Sequence, residues 1–143
     1  MKYKENQAIA RGLDLPISTK FSVDICSFLR GKTVERSRRE LMNVLEKKQA
    51  IPLNKHKQDI PHRKGNMAAG RYPQKATQHI LKIVNLAERN AHNRGLNTEN
   101  LIIRSIKADG AGKPNRTGRH GRRQMKRTHI EVIVEEIAKK EKK

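Results

Sequence analysis

The sequence predicts an α+β domain of two layers, in which three helices pack on one face of a small three-stranded antiparallel sheet, in the order β-α-α-α-β-β. Apolar residues recur at helical spacing in three segments, and two later segments alternate between apolar and polar residues. These two later segments flank a basic, glycine-rich stretch, so a long protruding β-hairpin is their simplest connection. The 143 residues are enough for one domain, spanning 1–143, and too few for two sizeable ones.

The first strand has the weakest signal and is assigned to KYKENQAIA (2–10), where the alternation is poor. The first helix follows the cap signal Ser18-Thr19, and Gly31 supplies its stop. Its apolar face consists of Phe21, Ile25, Phe28 and Leu29. Both phenylalanines are therefore expected in the core, with Cys26 beside them as a core residue.

The second and third helices have clearer boundaries. The second begins after Thr33 as N-cap and is expected to end near Ala50, ahead of Pro52. One face of it carries Val34, Leu41, Val44, Leu45 and, at the solvent end, Lys48. The third begins with Pro73 at its first helical position and ends at Gly95. Its continuous apolar stripe comprises Ala76, Ile80, Ile83, Val84, Ala87 and Ala91.

Two strands complete the predicted sheet. LIIRSIKA (101–108) is rich in branched residues, and HIEVIVEE (129–136) alternates cleanly. In the second of these, Ile130, Val132 and Val134 share one side, which we expect to face the helices.

The charge balance indicates a polyanionic partner. Lys and Arg number 33 against 14 Asp and Glu, giving a net charge of +19 and a pI near 10.7. Self-repulsion at this charge opposes compaction, and nucleic acid is the natural counterweight. A membrane surface is the competing partner, but the chain lacks Trp and its cations concentrate in glycine-rich loops. The polar opening MKYKENQ and the lack of a long apolar run predict neither a secreted nor a membrane protein, so we expect a cytoplasmic one.

The predicted hairpin tip, residues 109–127, carries the densest positive charge. No acid occurs between Asp109 and Glu131, and glycines and a proline exclude a helix. In an extended arm, cations would lie on both faces and no apolar face would exist. We therefore expect an arm that inserts among RNA helices and is ordered by them, since arginine pairs phosphate bidentately and stacks on bases. The competing interpretation is a solvated loop with no specific target.

A second basic segment, residues 51–72, lies between the second and third helices. No acid occurs between Asp59 and Glu88. Gly65 and Gly70 are expected to let backbone approach phosphate closely. The competing interpretation is an ordinary surface loop. The final residues, 138–143, are expected to form a flexible basic tail.

Catalytic chemistry has no candidate in the sequence. Phosphate-loop and dinucleotide-binding motifs are absent, and the acids are scattered. His56 and His62 lack a companion at metal-ligand spacing, so we predict no metal, no cofactor and no catalytic residue. Two alternatives stay open: a DNA-binding regulator that uses a helix pair, with the third helix in the major groove, and an RNA-processing enzyme.

Several motifs, in order, resemble one known family. They are LPISTKFSVDICSFLRGKTV, HRKG, GRYPQKA, NTENLIIRSIKA and KRTHIEVIVEE, between about Ala10 and Glu136. This pattern is similar to the universal large-subunit ribosomal proteins numbered twenty-two in bacteria and seventeen in eukaryotes. HRKGNMAAGRYPQK is similar to the archaeal and eukaryotic branch, so we expect an archaeal source. The resemblance implies the same β-α-α-α-β-β fold, a structural role in the large ribosomal subunit and in its assembly, and a hairpin whose tip lines the polypeptide exit tunnel.

The resemblance also implies partners and site residues. The expected partners are large-subunit ribosomal RNA, neighbouring large-subunit proteins and the nascent polypeptide, without a membrane and without self-association. The KRTHI motif, from Lys126 to Ile130, is expected to anchor the returning arm. Asn115 stands where the family usually has proline, and the tip is a few residues shorter. The expected ribosomal RNA contacts are Lys20, Arg30, Lys32, His62, Arg63, Lys64, Arg71, Lys75, Lys113, Arg116, Arg119, His120, Arg122, Arg123, Lys126 and Arg127. The expected tunnel-lining residues are Arg116, Thr117, Gly118, Arg119 and His120.

Overall fold

A three-stranded antiparallel sheet with three helices forms the fold in a computed structural model, which describes residues 5–55, 57, 59–119, 121 and 123–137. Strand β5 is central, with β1 and β4 on either side. The arrangement confirms the predicted α+β class. The elements are β1 (Gln7–Leu15), α1 (Thr19–Leu29), α2 (Val34–Leu45), β2 (Ile51–Pro52), β3 (Gly70–Arg71), α3 (Gln74–Asn93), a 3₁₀ turn (Thr98–Asn100), β4 (Leu101–Gly110) and β5 (Thr128–Glu136).

The three helices follow the predicted caps closely at their starts. Thr33 caps α2, and its hydroxyl oxygen accepts a hydrogen bond from the Arg36 amide at 3.3 Å. Pro73 is the N-cap of α3 and lies one residue before the predicted position. The predicted end of α2 near Ala50 is wrong. The helix stops at Leu45, and the chain turns through a positive φ of 60° at Lys47, so Lys48 lies outside it.

The core lies between the sheet and the helices. On β5, Ile130, Val132 and Val134 are buried as the alternation predicts. Every residue of the α3 stripe is buried as well: Ala76, Ile80, Ile83, Val84, Ala87 and Ala91. Because this stripe is used in the core, α3 cannot offer it to a DNA groove. Within the described residues, no helix combines the length and the apolar character needed to cross a bilayer.

The two phenylalanines of α1 have different environments. Phe28 is partly buried and packs against the core cluster. Phe21 is half-buried but belongs neither to that cluster nor to the residues packed against it. The prediction of a core position is therefore wrong for Phe21.

Strand β1 lies further along the chain than predicted. It spans Gln7–Leu15 instead of residues 2–10, of which 1–4 lie outside the described residues. Its buried positions are the small residues Ala8 and Ala10. A Cβ at Gly12 would lie 2.5 Å from Cδ1 of Ile83, so the glycine lets α3 approach the strand closely.

The outer edge of β1 is occupied by side chains of α3. The Asn90 amide nitrogen donates to the Ile9 carbonyl oxygen at 2.7 Å. The Arg94 guanidinium donates to the Gln7 carbonyl oxygen at 2.6 Å. These groups take the place of a further strand at these carbonyls.

The outer edge of β4 is partly covered by the connection between α1 and α2. The Ile103 carbonyl oxygen accepts from the Gly31 amide, and the Ile103 amide donates to the Lys32 carbonyl oxygen, both at 2.9 Å. A single bridge pairs Thr33 with Ile102. Both edges of the sheet thus have partners within the chain.

The basic segment 51–72 is more ordered than the sequence indicates. Strands β2 and β3 pair antiparallel at two positions, Ile51 with Arg71 and Pro52 with Gly70. Beyond them, His62 pairs with Ala69 in a single bridge, and Gly65 turns the chain with a φ of +106°. The segment is therefore a small hairpin closed by a two-residue ladder.

Candidate nucleic-acid interface

Strands β4 and β5 and the described residues between them form a hairpin. β4 and β5 pair from Leu101–Glu136 to Gly110–Thr128. Beyond the strands the arms stay together, with a further bridge between Asn115 and Gln124. Three backbone hydrogen bonds join them: Ala111 N to Arg127 O (3.2 Å), Met125 N to Pro114 O (2.9 Å) and Arg116 N to Arg123 O (2.8 Å).

The described cations between residues 112 and 126 have no acidic partner among the described residues. Every described residue from 112 to 126 is exposed, including the glycines and Met125. The described basic side chains of this stretch make no ion pair and no hydrogen bond with any other described residue: Lys113, Arg116, Arg119, Arg123 and Lys126. This part of the chain therefore presents its charge without neutralisation, as the sequence predicts. His120 and Arg122 lie outside the described residues.

The tip turns at a glycine. Gly118 has a φ of +106°, a conformation that favours glycine strongly. Arg116, Thr117 and Arg119 beside it are exposed. Arg119 is thus exposed beside the turn, whereas Arg116 also lines a cavity with residues at the starts of α1 and α3.

Arg127 differs from the other hairpin cations. It is half-buried, and its guanidinium donates to the Asp14 carbonyl oxygen at 3.1 Å. Thr128, next in the chain, is fully buried and bonds to Ile17 and Thr19. These contacts fix the base of the hairpin to β1 and to the start of α1, which agrees with the anchoring role expected of the KRTHI motif.

In the second basic segment, Arg63 is held by its own hairpin. Its Nε donates to the Gly70 carbonyl oxygen at 3.4 Å, and its guanidinium lies 5.5 Å from the centre of the Tyr72 ring. His62, Lys64 and Arg71 are exposed. The segment thus adds cations to the surface from an ordered turn.

The structure gives the glycines of this segment a different role from the expected one. A Cβ at Gly70 would lie 2.9 Å from the Met67 sulfur, 3.0 Å from Cγ of Arg63 and 3.2 Å from Cβ of Ala50. Gly70 is therefore required by internal packing, and Gly65 by its positive φ. The approach of a phosphate to these glycines stays a prediction.

Three expected contact residues of α1 and its connection behave differently from one another. Lys20 is exposed. Arg30 is exposed, and it donates to the Ile106 carbonyl oxygen at 3.3 Å. Lys32 pairs with the Glu40 carboxylate at 2.6 Å and lies 3.3 Å from the centre of the Phe28 ring. The charge of Lys32 is thus paired within the chain, in contrast to the described cations between residues 112 and 126.

A cleft brings three distant segments together. It has a volume of about 590 Å³ and lies where the starts of α1 and α3 meet the returning arm of the hairpin. An adjoining cavity of about 430 Å³ lies beside the second basic segment, and Phe21 lines both. The first cavity is lined by Pro16, Ile17, Ser18, Phe21, Pro73, Gln74, Lys75, Ala76, Arg116, Gln124, Met125 and Lys126. Three of the expected contact residues therefore share one cleft.

Sequence reasoning missed Phe21 and Lys55 as surface residues of this region. Lys55 lines a third cavity of about 260 Å³ with Phe21, Lys20 and Lys126. Phe21 falls on the apolar stripe of α1, so its sequence pattern is that of a core residue. The cavity at its side arises from how the insert and the hairpin arm pack, and no local signal reports that.

Metal and thiol chemistry receive no support here. The described residues contain no group of three or more His, Cys, Asp or Glu side chains that could hold a metal ion. Cys26 is buried, and the loss of solvation raises the pKa of its thiol to about 12. A thiol with so high a pKa is a poor nucleophile. Lysines 75 and 82 flank His79, whose pKa is lowered by partial burial and then by these charges.

Comparison with known proteins agrees with this architecture. The family model for ribosomal protein L22p/L17e matches residues 10–135. This chain belongs to that family. A large ribosomal subunit protein uL22 from Archaeoglobus fulgidus is 40% identical over 135 residues, covering 90% of this chain and 87% of the relative. The proteins of the same description from Methanococcus vannielii and Methanococcus aeolicus are 39% and 36% identical, each covering 91% of this chain and 90% of the relative.

Family membership confirms the resemblance read from the motifs. The matched range ends one residue before the predicted boundary at Glu136 and begins at the predicted Ala10. It includes the second basic segment and the whole hairpin. The three relatives are archaeal, in agreement with the branch indicated by the insert sequence.

Proposed function

We propose that this chain is a structural component of the large ribosomal subunit, that it binds the ribosomal RNA of that subunit, and that its hairpin tip lines the polypeptide exit tunnel. As a member of the L22p/L17e family it is a ribosomal protein and not an enzyme, and it works in the cytoplasm as part of the ribosome. RNA binding, tunnel lining and the individual contact residues are the parts that we propose beyond family membership.

The observation that supports RNA binding is the set of exposed hairpin cations that, among the described residues, have no acidic partner. A chain with a net charge of +19 repels itself, and like charges on adjacent arms add to that cost. Phosphates that pair with arginine and lysine remove this repulsion and release counterions. The segment has no apolar face that packing could use instead, so folded RNA is the partner that its chemistry fits.

The proposed contacts extend beyond the hairpin. The second basic segment presents His62, Lys64 and Arg71 as exposed side chains, and Arg71 lines the cavity of about 430 Å³ with Phe21. Neighbouring large-subunit proteins and the nascent polypeptide are the other proposed partners, and we propose no self-association. Joined to RNA through both segments, the protein would hold separate RNA helices together during subunit assembly.

The test of RNA binding measures the salt dependence of affinity. The hairpin variant replaces Arg116, Arg119 and Arg123 by Gln, and its binding to large-subunit ribosomal RNA is measured at several salt concentrations. Loss of three phosphate contacts should make the negative slope of log K against log salt less steep by about 2–3. Duplex DNA in excess should not displace the RNA.

A charge-matched control separates specific contacts from net charge. The control variant replaces three cations that already have acidic partners: Arg36, Arg39 and Lys48, paired with Glu40, Glu35 and Glu46. It should bind with nearly the original slope. RNA binding by the hairpin is refuted if the two triple variants lose the same affinity and slope, or if duplex DNA competes equally well.

Tunnel lining has a separate test in assembled ribosomes. A photo-crosslinking amino acid at Thr117 or Arg119 should link to a stalled nascent chain, and one at Lys48 should not. Crosslinks from both tip positions to RNA alone would show that the tip does not reach the lumen.

A further inference from the structure

Phe21 is an aromatic side chain without a place in the core. It lies two helical turns before Phe28 on the same helix, yet only Phe28 packs against the core cluster. The Phe21 ring is half-buried and lines three neighbouring cavities, of about 590, 430 and 260 Å³. A large apolar ring in this position lacks the packing that usually accounts for it.

Both apolar and cationic side chains line the largest of these cavities, and we call its lysine and arginine residues the cationic rim. Phe21 lines this cavity together with Pro16, Ile17, Pro73 and Met125, and the cavity volume of about 590 Å³ is in the range of small-molecule sites. Three cations also line it: Lys75, Arg116 and Lys126. No acidic residue is among the described residues that line it, so the rim is positive throughout.

The helix termini that border the cleft carry a positive partial charge, which has the same sign as its lysine and arginine side chains. The N-termini of α1 and α3 both border it, through Ser18 and through residues 73–76. Neither helix has an acid in its first turn, and neither N-cap makes a side-chain capping hydrogen bond. The positive ends of both helix dipoles are therefore uncompensated near the cationic rim. In the cavity of about 260 Å³, the buried Asp24 carboxylate accepts from the backbone amides of Asn54 and Lys55 at 3.2 and 3.4 Å.

We propose that this cleft captures one unstacked base of large-subunit ribosomal RNA, which stacks on Phe21 while its flanking phosphates pair with Arg116 and Lys126. A nucleobase has a flat π face that can stack on the Phe21 ring. The phosphates on either side of it carry the negative charge with which the cations of the cleft can pair. An apolar peptide would contact the apolar residues and leave the cations of the cleft unpaired. The inference rests on the proposed RNA binding and deepens it, because it assigns an aromatic contact to a protein whose other contacts are ionic.

Binding of a base here would also couple the two basic segments. Phe21 lines one cavity with residues of the hairpin and another with Arg63 and Tyr72 of the second basic segment. A nucleotide held at Phe21 would therefore contact residues from both. The arm residues Gln124 to Lys126 would then be fixed relative to α3 by RNA as well as by backbone hydrogen bonds.

The test compares ring variants of the full-length protein with large-subunit ribosomal RNA as the probe. Phe21→Leu keeps an apolar side chain but removes stacking, and should weaken binding by at least about 5-fold. Phe21→Tyr keeps the ring and should bind within twofold of the original protein. Phe28→Leu is the matched control in the same helix and should bind normally, since Phe28 faces the core.

Two further measurements distinguish stacking from charge and from misfolding. The salt slope of Phe21→Leu should equal that of the original protein, because a ring releases no counterions, whereas Lys126→Gln should lower it by about 1. A photo-crosslinking amino acid at position 21 should attach to a single nucleotide. Thermal unfolding verifies that each variant is folded. If Phe21→Leu does not fold, the binding of Phe21→Tyr is still compared with that of the original protein.

The outcomes separate this inference from the proposed function. If Phe21→Leu is folded and binds within twofold, or if position 21 crosslinks to no nucleotide while the hairpin variant loses affinity, base capture is wrong and ionic RNA binding stands. If the unmodified protein prefers large-subunit ribosomal RNA no more than duplex DNA, both fail.

Discussion

Thr128 is the residue whose replacement tests the anchoring of the hairpin most directly. It is fully buried, and its hydroxyl donates to the Ile17 carbonyl oxygen at 3.0 Å. Because that bond uses its only hydroxyl hydrogen, its oxygen accepts the second bond, from the Thr19 hydroxyl at 2.8 Å. Thr128 also ends the pairing of β5 with both neighbouring strands, opposite Leu15 and Gly110. It therefore joins the hairpin base to β1 and to the start of α1.

Thr128→Val keeps the shape and removes both hydrogen bonds. Each bond contributes about 0.5–1.5 kcal/mol, and a buried carbonyl without a partner costs about 1–3 kcal/mol. Ile17 is itself 2% exposed, so water reaches its carbonyl poorly, while Thr19 is only half-buried and can turn to solvent. The free energy of unfolding should fall by about 2 kcal/mol.

The assay is thermal or guanidinium unfolding of the free protein followed by circular dichroism. For a chain of this length the unfolding entropy is about 300 cal/mol/K, so about 2 kcal/mol corresponds to roughly a 7 °C lower Tm. Thr117→Val, at the exposed tip, is the matched control and should change the Tm by less than about 2 °C. A Tm for Thr128→Val within 2 °C of the original would refute the anchoring argument.

Three further predictions concern residues away from the hairpin. Gly70→Ala should lower the free energy of unfolding by about 1–3 kcal/mol in guanidinium titrations, because the new methyl group crowds Ala50 and its neighbours. Asp24→Ala should cost about 1–3 kcal/mol and speed hydrogen exchange at the Asn54 amide, which loses its acceptor. The Cys26 thiol, with its pKa raised to about 12 by burial, should not react with a disulfide reagent at pH 8 until the protein is unfolded.

Each of these has a result that contradicts it. Unchanged stability of Gly70→Ala would show that the methyl group is accommodated, and Gly118→Ala offers a comparison in which strain at a positive φ is the only cost. Exchange at Asn54 as slow as before would show that Asp24 does not hold that amide. Reaction of Cys26 in the native protein as fast as in guanidinium would show that the thiol is accessible.

Since burial favours the protonated thiol of Cys26, the contribution of this thiol to stability is complete below pH 9 and is lost as the pH rises towards 12.

The sequence predicted the elements that have long apolar patterns. The stripe of α3 and the alternation of β5 extend over many residues, so their burial follows from periodicity. Strand β1 was misplaced because its buried residues are Ala8 and Ala10, and because Gly12 is required by contact with Ile83 and not by the strand itself. The reason for the glycine at position 12 therefore lies in α3, against which β1 packs, and not in the sequence of the strand.

Short and irregular features escaped prediction for similar reasons. The end of α2 depends on a positive φ at Lys47, and lysine is not a residue that signals such a turn. Strands β2 and β3 are two residues each, too short for any period to show. At the candidate interface, the charge of the hairpin was evident from composition. The neutralisation of Lys32 by Glu40 and the position of Phe21 depend on tertiary packing.

The covered edges of the sheet matter most before the protein meets any partner. A newly synthesised copy has two outer strands, each able to add a strand from another molecule and so begin an aggregate. Asn90 and Arg94 already occupy carbonyls of β1, and the segment at Gly31 and Lys32 occupies Ile103 of β4. Growth by strand addition is blocked at these positions while the long basic arm stays free. At these positions the edge backbone groups are therefore already hydrogen-bonded within the chain, whereas the described basic side chains of the hairpin tip remain exposed.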